Sequence, residues 1–269
     1  MGIMQSIMNN SIVIKLGGSI YDSRDGLITD IIRLQKEGHP IVIIHGGASM
    51  ITNWLEKQDC KSSFFEGQRI TDSESLDIVT AVLAGLVNKE IVATIINAGG
   101  EAIGVSGVDG GLIQGKIKDL ALGYVGSIVK INTRPLTTII EAGFIPVIAP
   151  VSFHFTGRKE GERSLLNVNG DTAAGAIAAE LKAGKMIFLT DVDGIKDHNN
   201  NLITSISTSQ AQRLIDSGTA YGGMIPKIRA CLDAAANKVT QCSIINGNNA
   251  HALYREATEG NTGTSIYQD

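Results

Sequence analysis

Short runs of β-branched and other apolar residues recur along the chain, and each run is continuous rather than interrupted by polar residues. A strand with this pattern is buried on both faces, as in a parallel sheet. Stretches with the composition of helices separate these runs, so the alternation predicts an α/β fold built from βαβ units. The predicted strands are 12–16, 41–44, 145–149, 186–189 and 242–245. The predicted helices are 27–36, 73–97, 171–181, 208–216 and 228–237.

Two stretches depart from this alternation. Residues 112–118 and 124–132 combine glycines with β-forming residues, which predicts a hairpin. Residues 153–163 are polar and charged, which indicates a loop or a second hairpin. We place a domain boundary near residue 180, where the helix that begins at Asp171 should end, although no linker-like segment marks it.

Composition excludes several classes of protein. The net charge is −4 and aromatic residues make up 4% of the chain, which argues against a nucleic-acid partner. Three cysteines without a CxxC pair fit a reducing compartment and no zinc site. No apolar run reaches about 18 residues, and the N-terminus lacks the pattern of a signal peptide. We therefore expect a cytoplasmic protein with no membrane partner.

Glycine is abundant, with 31 residues, yet Gly-x-Gly occurs nowhere. Its absence excludes the Rossmann dinucleotide fingerprint and the glycine loop of protein kinases. Residues 110–116 read GGLIQGK and come close to a phosphate-binding P-loop. However, Ile117 stands where that loop needs a serine or threonine for Mg²⁺, so a glycine-rich hairpin turn is the better interpretation.

Two predicted strands run directly into glycine pairs. Lys15 precedes the turn at residues 17–18, and His45 precedes the turn at residues 46–47. The carboxyl ends of parallel strands share one edge of the sheet, where glycine N–H groups and helix N-termini can bind an anion. Two ordinary βα turns and a surface lysine are the alternative. Lys15 argues against it, because lysine is rarely buried in a strand without a partner.

Three further motifs carry polar residues that can act at such an edge. Asp171 opens a helix of small residues, residues 191–196 form an acidic turn after a strand, and Lys227 follows a glycine pair. Each also has an ordinary explanation, as a helix cap, an Asx turn or a solvated helix start. Two lysines and an aspartate that converge on phosphates suit phosphoryl transfer, which needs positioning and positive charge. A carboxylate acceptor is already ionised at neutral pH and needs no general base, so we expect a hydrogen-bonding role for His45 rather than catalysis.

Taken in order, the motifs of the chain from Ile12 to Ile266 resemble those of the amino-acid kinase family. They read IKLGGS, HGG, GQRITD, AGLVNKE, GVSGVDG, NVNGDTAAGAIAA, LTDVDGI, GGMIPK, HAL and GTSI. The resemblance implies a three-layer αβα sandwich with a mostly parallel central sheet and two lobes. Residues 1–180 would form the lobe that binds an acyl amino acid, and residues 181–269 the lobe that binds ATP.

The reaction implied by this resemblance is ATP-dependent phosphorylation of the side-chain carboxylate of N-acetyl-L-glutamate, in arginine biosynthesis. Mg²⁺ would enter with ATP and be held largely by its phosphates, with no metal ligands assigned to the chain. Lys15 and Lys227 would neutralise the transferring phosphoryl group, and Asp171 would hold both lysines. The implied substrate-binding residues are Gly47, Ala48, Arg69 and Asn167. The implied nucleotide-binding residues are Gly17, Gly18, Asp191, Val192, Asp193, Gly194, Ile195, Lys196, Thr219, Ala220 and Tyr221.

Some positions leave alternatives open. Ala48 stands where the family has a third glycine, which would be strained if its φ were positive. Thr52-Asn53 and the GLVNK motif at residues 85–89 also resemble aminoadipate-type kinases of lysine biosynthesis, which act on a carrier-bound substrate. A non-catalytic nucleotide or amino-acid sensor is a third possibility, which the intact lysines and aspartate disfavour. The short segment before the first strand leaves scant room for the extra helix of arginine-inhibited hexamers, so we expect an arginine-insensitive homodimer.

Overall fold

The computed structural model describes residues 9–17, 24–65, 68–260 and 262–269, and for residues 24 and 25 only the backbone. Gly18, a predicted nucleotide-binding residue, lies outside these ranges. The strands are β1 (Ile12–Leu16), β2 (Ile41–His45), β3 (Phe64–Phe65), β4 (Gln68–Arg69), β5 (Ala102–Gly107), β6 (Ile113–Ile117), β7 (Gly126–Ile131), β8 (Ile145–His154), β9 (Leu165–Asn167), β10 (Lys185–Thr190), β11 (Ser205–Ser207), β12 (Gln241–Asn246) and β13 (Thr264–Tyr267). The helices are α1 (Arg24–Lys36), α2 (Ala48–Lys57), α3 (Ser73–Asn97), α4 (Arg134–Glu141), α5 (Gly170–Leu181), α6 (Thr208–Asp216), α7 (Met224–Ala236) and α8 (Ala252–Thr258).

A mixed sheet of eleven strands runs through the described part of the chain, and β3 and β4 form a separate two-stranded sheet. The order of the large sheet is β11-β13-β12-β10-β1-β2-β8-β6-β7, and β5 and β9 pair with β8. The central neighbours β12, β10, β1, β2 and β8 are all parallel to one another. Leu16 lies opposite both His45 and Leu189, so β1, β2 and β10 end at the same level. This register brings the turns after these strands to one edge of the sheet.

Apolar side chains form one cluster on each face of the sheet. Val13, Phe188 and the α5 residue Ile177 belong to one cluster. Ile14 and the α3 residue Ile91 belong to the other. Successive residues of β1 thus bury opposite faces, as the two-residue period of a strand requires. Helices cover both faces, which confirms the predicted three-layer αβα arrangement and explains why the strands read as continuous apolar runs.

The hairpin is present, with β6 and β7 paired antiparallel. The near match to a P-loop, expected to be the turn of the hairpin, instead forms a short 3-10 turn before β6 and most of strand β6, because the turn of the hairpin lies between β6 and β7. The polar segment after residue 153 differs from its prediction in one respect. Strand β8 continues to His154, because it pairs antiparallel with the short strand β9 that follows the loop.

Helix α3 is the longest described helix, with 25 residues, and residues Ala81–Val87 within it are π-helical. By length and composition alone it could cross a membrane. Its buried side chains, among them Leu76, Val79 and Ile95, lie in the protein interior, and Val79 and Ile95 belong to an apolar cluster on the sheet. A long core helix passes the same test of length and composition, so α3 is accounted for by packing within the fold.

Candidate active site

Two pockets open near the carboxyl ends of the central strands. The smaller one has a volume of about 180 Å³, which suits a ligand of amino-acid size. Residues on its wall include six that the sequence predicts for catalysis or substrate binding: Lys15, Gly47, Ala48, Arg69, Asn167 and Asp171. The structure therefore brings together, around one cavity, residues that are as much as 156 positions apart (171 − 15) in the chain.

A lysine–aspartate–lysine bridge connects this pocket to the larger one. The Nζ of Lys15 lies 2.7 Å from Oδ1 of Asp171, and the Nζ of Lys227 donates to Oδ2 at 3.0 Å. The side chains of Lys15, Asp171 and Lys227 are 10%, 6% and 15% exposed. Lys15 lines the smaller pocket and Lys227 the larger one. The bridge thus has a net positive charge and reaches from the wall of one pocket to the wall of the other.

The electrostatics of Asp171 follow from this position. Burial alone would raise the pKa of the Asp171 carboxyl, but the neighbouring ammonium groups of Lys15 and Lys227 hold the pKa below its ordinary value. Asp171 is therefore an anion at neutral pH. It lies in the first turn of α5, where the helix dipole also favours a negative charge.

Local sequence explains how Asp171 reaches the pocket. Asn169 caps α5, and its Oδ1 accepts hydrogen bonds from the backbone N–H groups of Asp171 and Thr172. Gly170, the first residue of α5, packs beside the side chain of Lys15, since a Cβ atom on it would be in van der Waals contact with Cε of that lysine at 3.4 Å. The NVNGDT segment thus caps the helix and places Asp171 next to Lys15.

Arg69 is held from three sides at the smaller pocket. The Nη2 atom of Arg69 donates to the carbonyl oxygen of Ala48 at 3.0 Å and to Oγ1 of Thr52 at 2.8 Å. The Nη1 atom donates to Oγ of Ser62, and the central carbon of the guanidinium lies 4.6 Å from the centre of the Phe64 ring. Burial lowers the pKa of Arg69 from its ordinary value, but a guanidinium remains charged at neutral pH. Arg69 therefore offers a fixed positive charge to a ligand carboxylate.

Two other predicted substrate-binding residues have defined surroundings. Ala48 begins α2 and is not among the non-glycine residues with positive φ, so alanine fits this position without backbone strain. Asn167 ends β9, and its Nδ2 donates to Oγ1 of Thr71 at 3.0 Å. Asn167 is also one of the residues on the wall of the smaller pocket.

The larger pocket has a volume of about 690 Å³. Its wall includes eight of the residues predicted to bind nucleotide: Asp191, Val192, Gly194, Ile195, Lys196, Thr219, Ala220 and Tyr221. Two others have different positions. The N–H of Gly17 donates to the carbonyl of Leu189 at 3.1 Å, and Asp193 accepts from Nδ2 of Asn246 at 2.9 Å. Neither Gly17 nor Asp193 is among the residues on the wall of this pocket.

Sequence reasoning missed several wall residues of both pockets. Phe64, Gln68 and Leu83 line the smaller pocket, and His198 and Met224 line the larger one. Gln68 and Met224 stand within the motifs GQRITD and GGMIPK but were not assigned to the site, because only the fold shows which residues of a motif reach a cavity. Among the described residues, no group of three or more His, Cys, Asp or Glu side chains is placed to hold a metal ion.

The fold and the two pockets define an α/β protein with a small-ligand site and a larger site joined by two lysines. Residues 10–246 match the Amino acid kinase family, and the chain belongs to that family. It is 48% identical to an acetylglutamate kinase of Dehalococcoides mccartyi, over 98% of this chain and 96% of the relative. It is 41% identical to an acetylglutamate kinase of Desulfotalea psychrophila, over 98% and 93% of the two chains.

Solved structures agree with this assignment. The crystal structure of smu.665 from Streptococcus mutans superimposes with a TM-score of 0.83 at 29% identity, and covers 97% of this chain and 100% of that one. The resemblance found in the sequence motifs is thus confirmed at the level of the family and of the fold.

Proposed function

We infer that this protein transfers the γ-phosphoryl group of ATP to the side-chain carboxylate of N-acetyl-L-glutamate. The relatives named acetylglutamate kinase align over nearly the whole chain, which supports this activity. The observation that carries the inference is the Lys15–Asp171–Lys227 bridge, because it sets one cation on the wall of the small pocket and another, through the same aspartate, on the wall of the large pocket. The activity belongs to arginine biosynthesis.

In the reaction, an oxygen of the side-chain carboxylate attacks the γ-phosphorus while the bond to the oxygen of ADP breaks. The products are an acyl phosphate and ADP, and no proton is transferred. Negative charge on the phosphoryl oxygens is balanced by Lys15 from the acceptor side and by Lys227 from the nucleotide side. Asp171 holds both ammonium groups in place before substrates bind.

The acceptor occupies the smaller pocket in this proposal. Arg69 pairs with a carboxylate of N-acetyl-L-glutamate, and Asn167 forms a hydrogen bond to the substrate. The N–H groups of Gly47 and Ala48 donate to a carboxylate of the substrate. The volume of about 180 Å³ and the charge of Arg69 support this assignment. Pocket size and charge likewise favour a free amino-acid derivative as the substrate.

The nucleotide occupies the larger pocket. Ile195, Ala220 and Met224 offer apolar surface to the adenine ring, and Lys227 faces the phosphates from the same wall. The remaining predicted residues, Gly17, Gly18 and Asp193, stay predictions of the sequence. Mg²⁺ binds with ATP in this proposal, where it would neutralise phosphate charge, and the phosphates supply most of its ligands.

We further propose that residues 1–180 form the acceptor lobe and residues 181–269 the nucleotide lobe. The walls of the smaller pocket come from residues 15–171 and those of the larger from residues 190–227, which supports the division. The enzyme is proposed to be a cytoplasmic homodimer. Exposed apolar side chains on α3, Leu86 and Ile96, offer a surface that a second copy could cover.

A hydroxylamine-trapping assay tests the activity. The purified protein is incubated with Mg-ATP and, separately, N-acetyl-L-glutamate, glutamate, aspartate or aminoadipate, and acyl hydroxamate is measured. With ¹⁸O in the side-chain carboxylate, we expect label in the phosphate released on trapping, because the carboxylate oxygen forms the bond to phosphorus. Absence of hydroxamate from N-acetyl-L-glutamate contradicts the proposal, and turnover only with a carrier-bound aminoadipyl substrate would replace it by the alternative.

A further inference from the structure

His45 is the last residue of β2, and its ring is completely buried beside the turn at Gly46 and Gly47. The ring Nδ1 lies 2.8 Å from the carbonyl oxygen of Gly46. The ring Nε2 lies 3.2 Å from Nδ2 of Asn88, which is also completely buried. The proposed reaction assigns no task to either side chain, although both lie next to its smaller pocket.

Asn88 determines which ring nitrogen carries the proton. Its Nδ2 donates to the carbonyl of Val147 at 2.9 Å and lies 3.3 Å from the carbonyl of Val105, whereas its Oδ1 accepts from Nζ of Lys89 at 3.1 Å. The reversed amide would set its oxygen against two carbonyl oxygens and its nitrogen against an ammonium group. Asn88 is therefore a donor to Nε2 of His45. The proton must then lie on Nδ1, which donates to the carbonyl of Gly46.

The charge state of the ring agrees with this arrangement. Burial is the largest influence and lowers the pKa of His45, and the ammonium groups of Lys15 and Lys89 lower it further, while the Gly46 carbonyl opposes them. Together they bring the pKa to about 4, so His45 is neutral at pH 7. A protonated ring would also direct an N–H group at the amide nitrogen of Asn88, which cannot accept it.

Asn88 lies in α3, and its position in that helix places its amide beside the ring of His45. Asn88 directly follows the π-helical segment Ala81–Val87, and π-helical turns inside α-helices are frequent at functional sites. A buried asparagine in a helix is costly unless its amide is satisfied, and here each end of the amide has a partner. The amide is thus held firmly enough to select one tautomer of the neighbouring ring.

The hydrogen bond between His45 and the carbonyl of Gly46 also determines which way the N–H of Gly47 points. Peptide groups are planar, and the described residues contain no cis peptide. When the carbonyl of Gly46 is held toward the ring, the N–H of Gly47 on the same peptide points the opposite way. Both glycines line the smaller pocket together with Lys15. A Cβ on Gly47 would lie 2.7 Å from Cδ2 of Leu83, so the packed Leu83 side chain leaves room only for glycine at this position.

We propose that His45 and Asn88 form a positioning pair that orients the Gly46–Gly47 peptide, so that the N–H of Gly47 faces the acceptor carboxylate in the smaller pocket. The identity of that carboxylate rests on the proposed function, whereas the hydrogen bonds of the pair do not. Neither side chain touches the substrate. His45 and Asn88 act on the substrate only by orienting the Gly46–Gly47 peptide, whereas Lys15 and Arg69 are proposed to contact the substrates directly.

Isosteric variants separate positioning from packing. In His45→Asn, the amide nitrogen takes the place of Nδ1 and still donates to Gly46. In His45→Gln, the amide takes the place of Nε2, meets Asn88 and no longer donates to the Gly46 carbonyl. We expect kcat to fall about tenfold or more in H45Q with an unchanged KM for ATP, and less than about threefold in H45N. His39→Gln, just before β2, is the matched control and should match the unmodified enzyme.

Equal kcat values in H45Q and H45N would overturn the proposal, as would a lower melting temperature of H45Q with unchanged kcat. A spectroscopic measurement decides the same point without any variant. In protein labelled with ¹⁵N-histidine, we expect His45 to show the Nδ1–H tautomer and no titration from about pH 5.5 to about pH 8. An Nε2–H tautomer or a titration within that range would refute the pair, even if the protein fails to phosphorylate N-acetyl-L-glutamate and the proposed function falls.

Discussion

Replacement of Asp171 by asparagine is the perturbation with the largest expected effect on stability. The substitution keeps the shape of the side chain but leaves Lys15 and Lys227 as two neighbouring cations, both less than one-sixth exposed, without their shared anion. Removal of one partner from a buried ion pair costs about 3–5 kcal/mol. Both lysines border open pockets into which they can turn, so we expect a loss of about 3 kcal/mol in the free energy of unfolding.

The matched control is Asp77→Asn. The Asp77 carboxylate pairs with Arg163, but its side chain is 64% exposed. An exposed pair contributes at most about 1 kcal/mol, so D77N should barely change the free energy of unfolding. The assay is urea unfolding of the unliganded proteins at neutral pH, with fluorescence and circular dichroism compared to check that the transition is two-state.

The pH dependence of this effect has a defined sign. The folded-state pKa of Asp171 lies below the unfolded value of 3.8, so its stabilisation is present above that value and is lost as the pH falls through the folded pKa. The gap between the unmodified protein and D171N should therefore close only in strong acid. A D171N loss no larger than the D77N loss would refute the reasoning, because the bridge would then be no more than a surface ion pair.

Two further predictions use Arg69 and His45. Arg69→Lys keeps the charge but loses the forked contacts to Ala48 and Thr52, so the KM for N-acetyl-L-glutamate should rise about tenfold while the KM for ATP stays constant in steady-state kinetics; an unchanged KM for the acceptor would remove Arg69 from the site. The pKa of His45 falls from 6.5 unfolded to about 4 folded, so the protein should lose up to about 3 kcal/mol of stability as the pH falls from 6.5 toward 4. Urea unfolding over this pH range should show a flatter profile for H45N, and parallel profiles would contradict the assignment.

Much of the sheet was predictable, because a strand buried on both faces leaves a continuous apolar run in the sequence. The predicted β1 has the bounds of the observed strand, and β10 and β12 extend only one residue beyond their predictions at each end. Strand β9 was not predicted, since its three residues form a strand only through pairing with β8. The π-helical segment of α3 was missed for a related reason: its residues have the apolar pattern of an ordinary helix.

The site was predictable to the extent that strand ends and helix starts carry it. Lys15 and Asp171 follow from a lysine in a buried strand and a capped helix at the same sheet edge. The surroundings of Arg69 could not be predicted, because Thr52 and Ser62 become its partners only through the fold. The same holds for the contact between His45 and Asn88, which are 43 positions apart. Polar residues of this kind have many ordinary explanations until their partners are known.

The most direct test of the central claim is the kcat of Lys15→Met and Lys227→Met with both substrates saturating. Methionine keeps the unbranched shape of the side chain, one atom shorter, and removes the charge, and far-UV circular dichroism checks that each variant folds. We expect kcat for acyl phosphate formation to fall by about 10³-fold or more in each variant, since each lysine balances charge that develops on the transferring phosphoryl group. A kcat close to that of the unmodified enzyme in either variant would contradict the account.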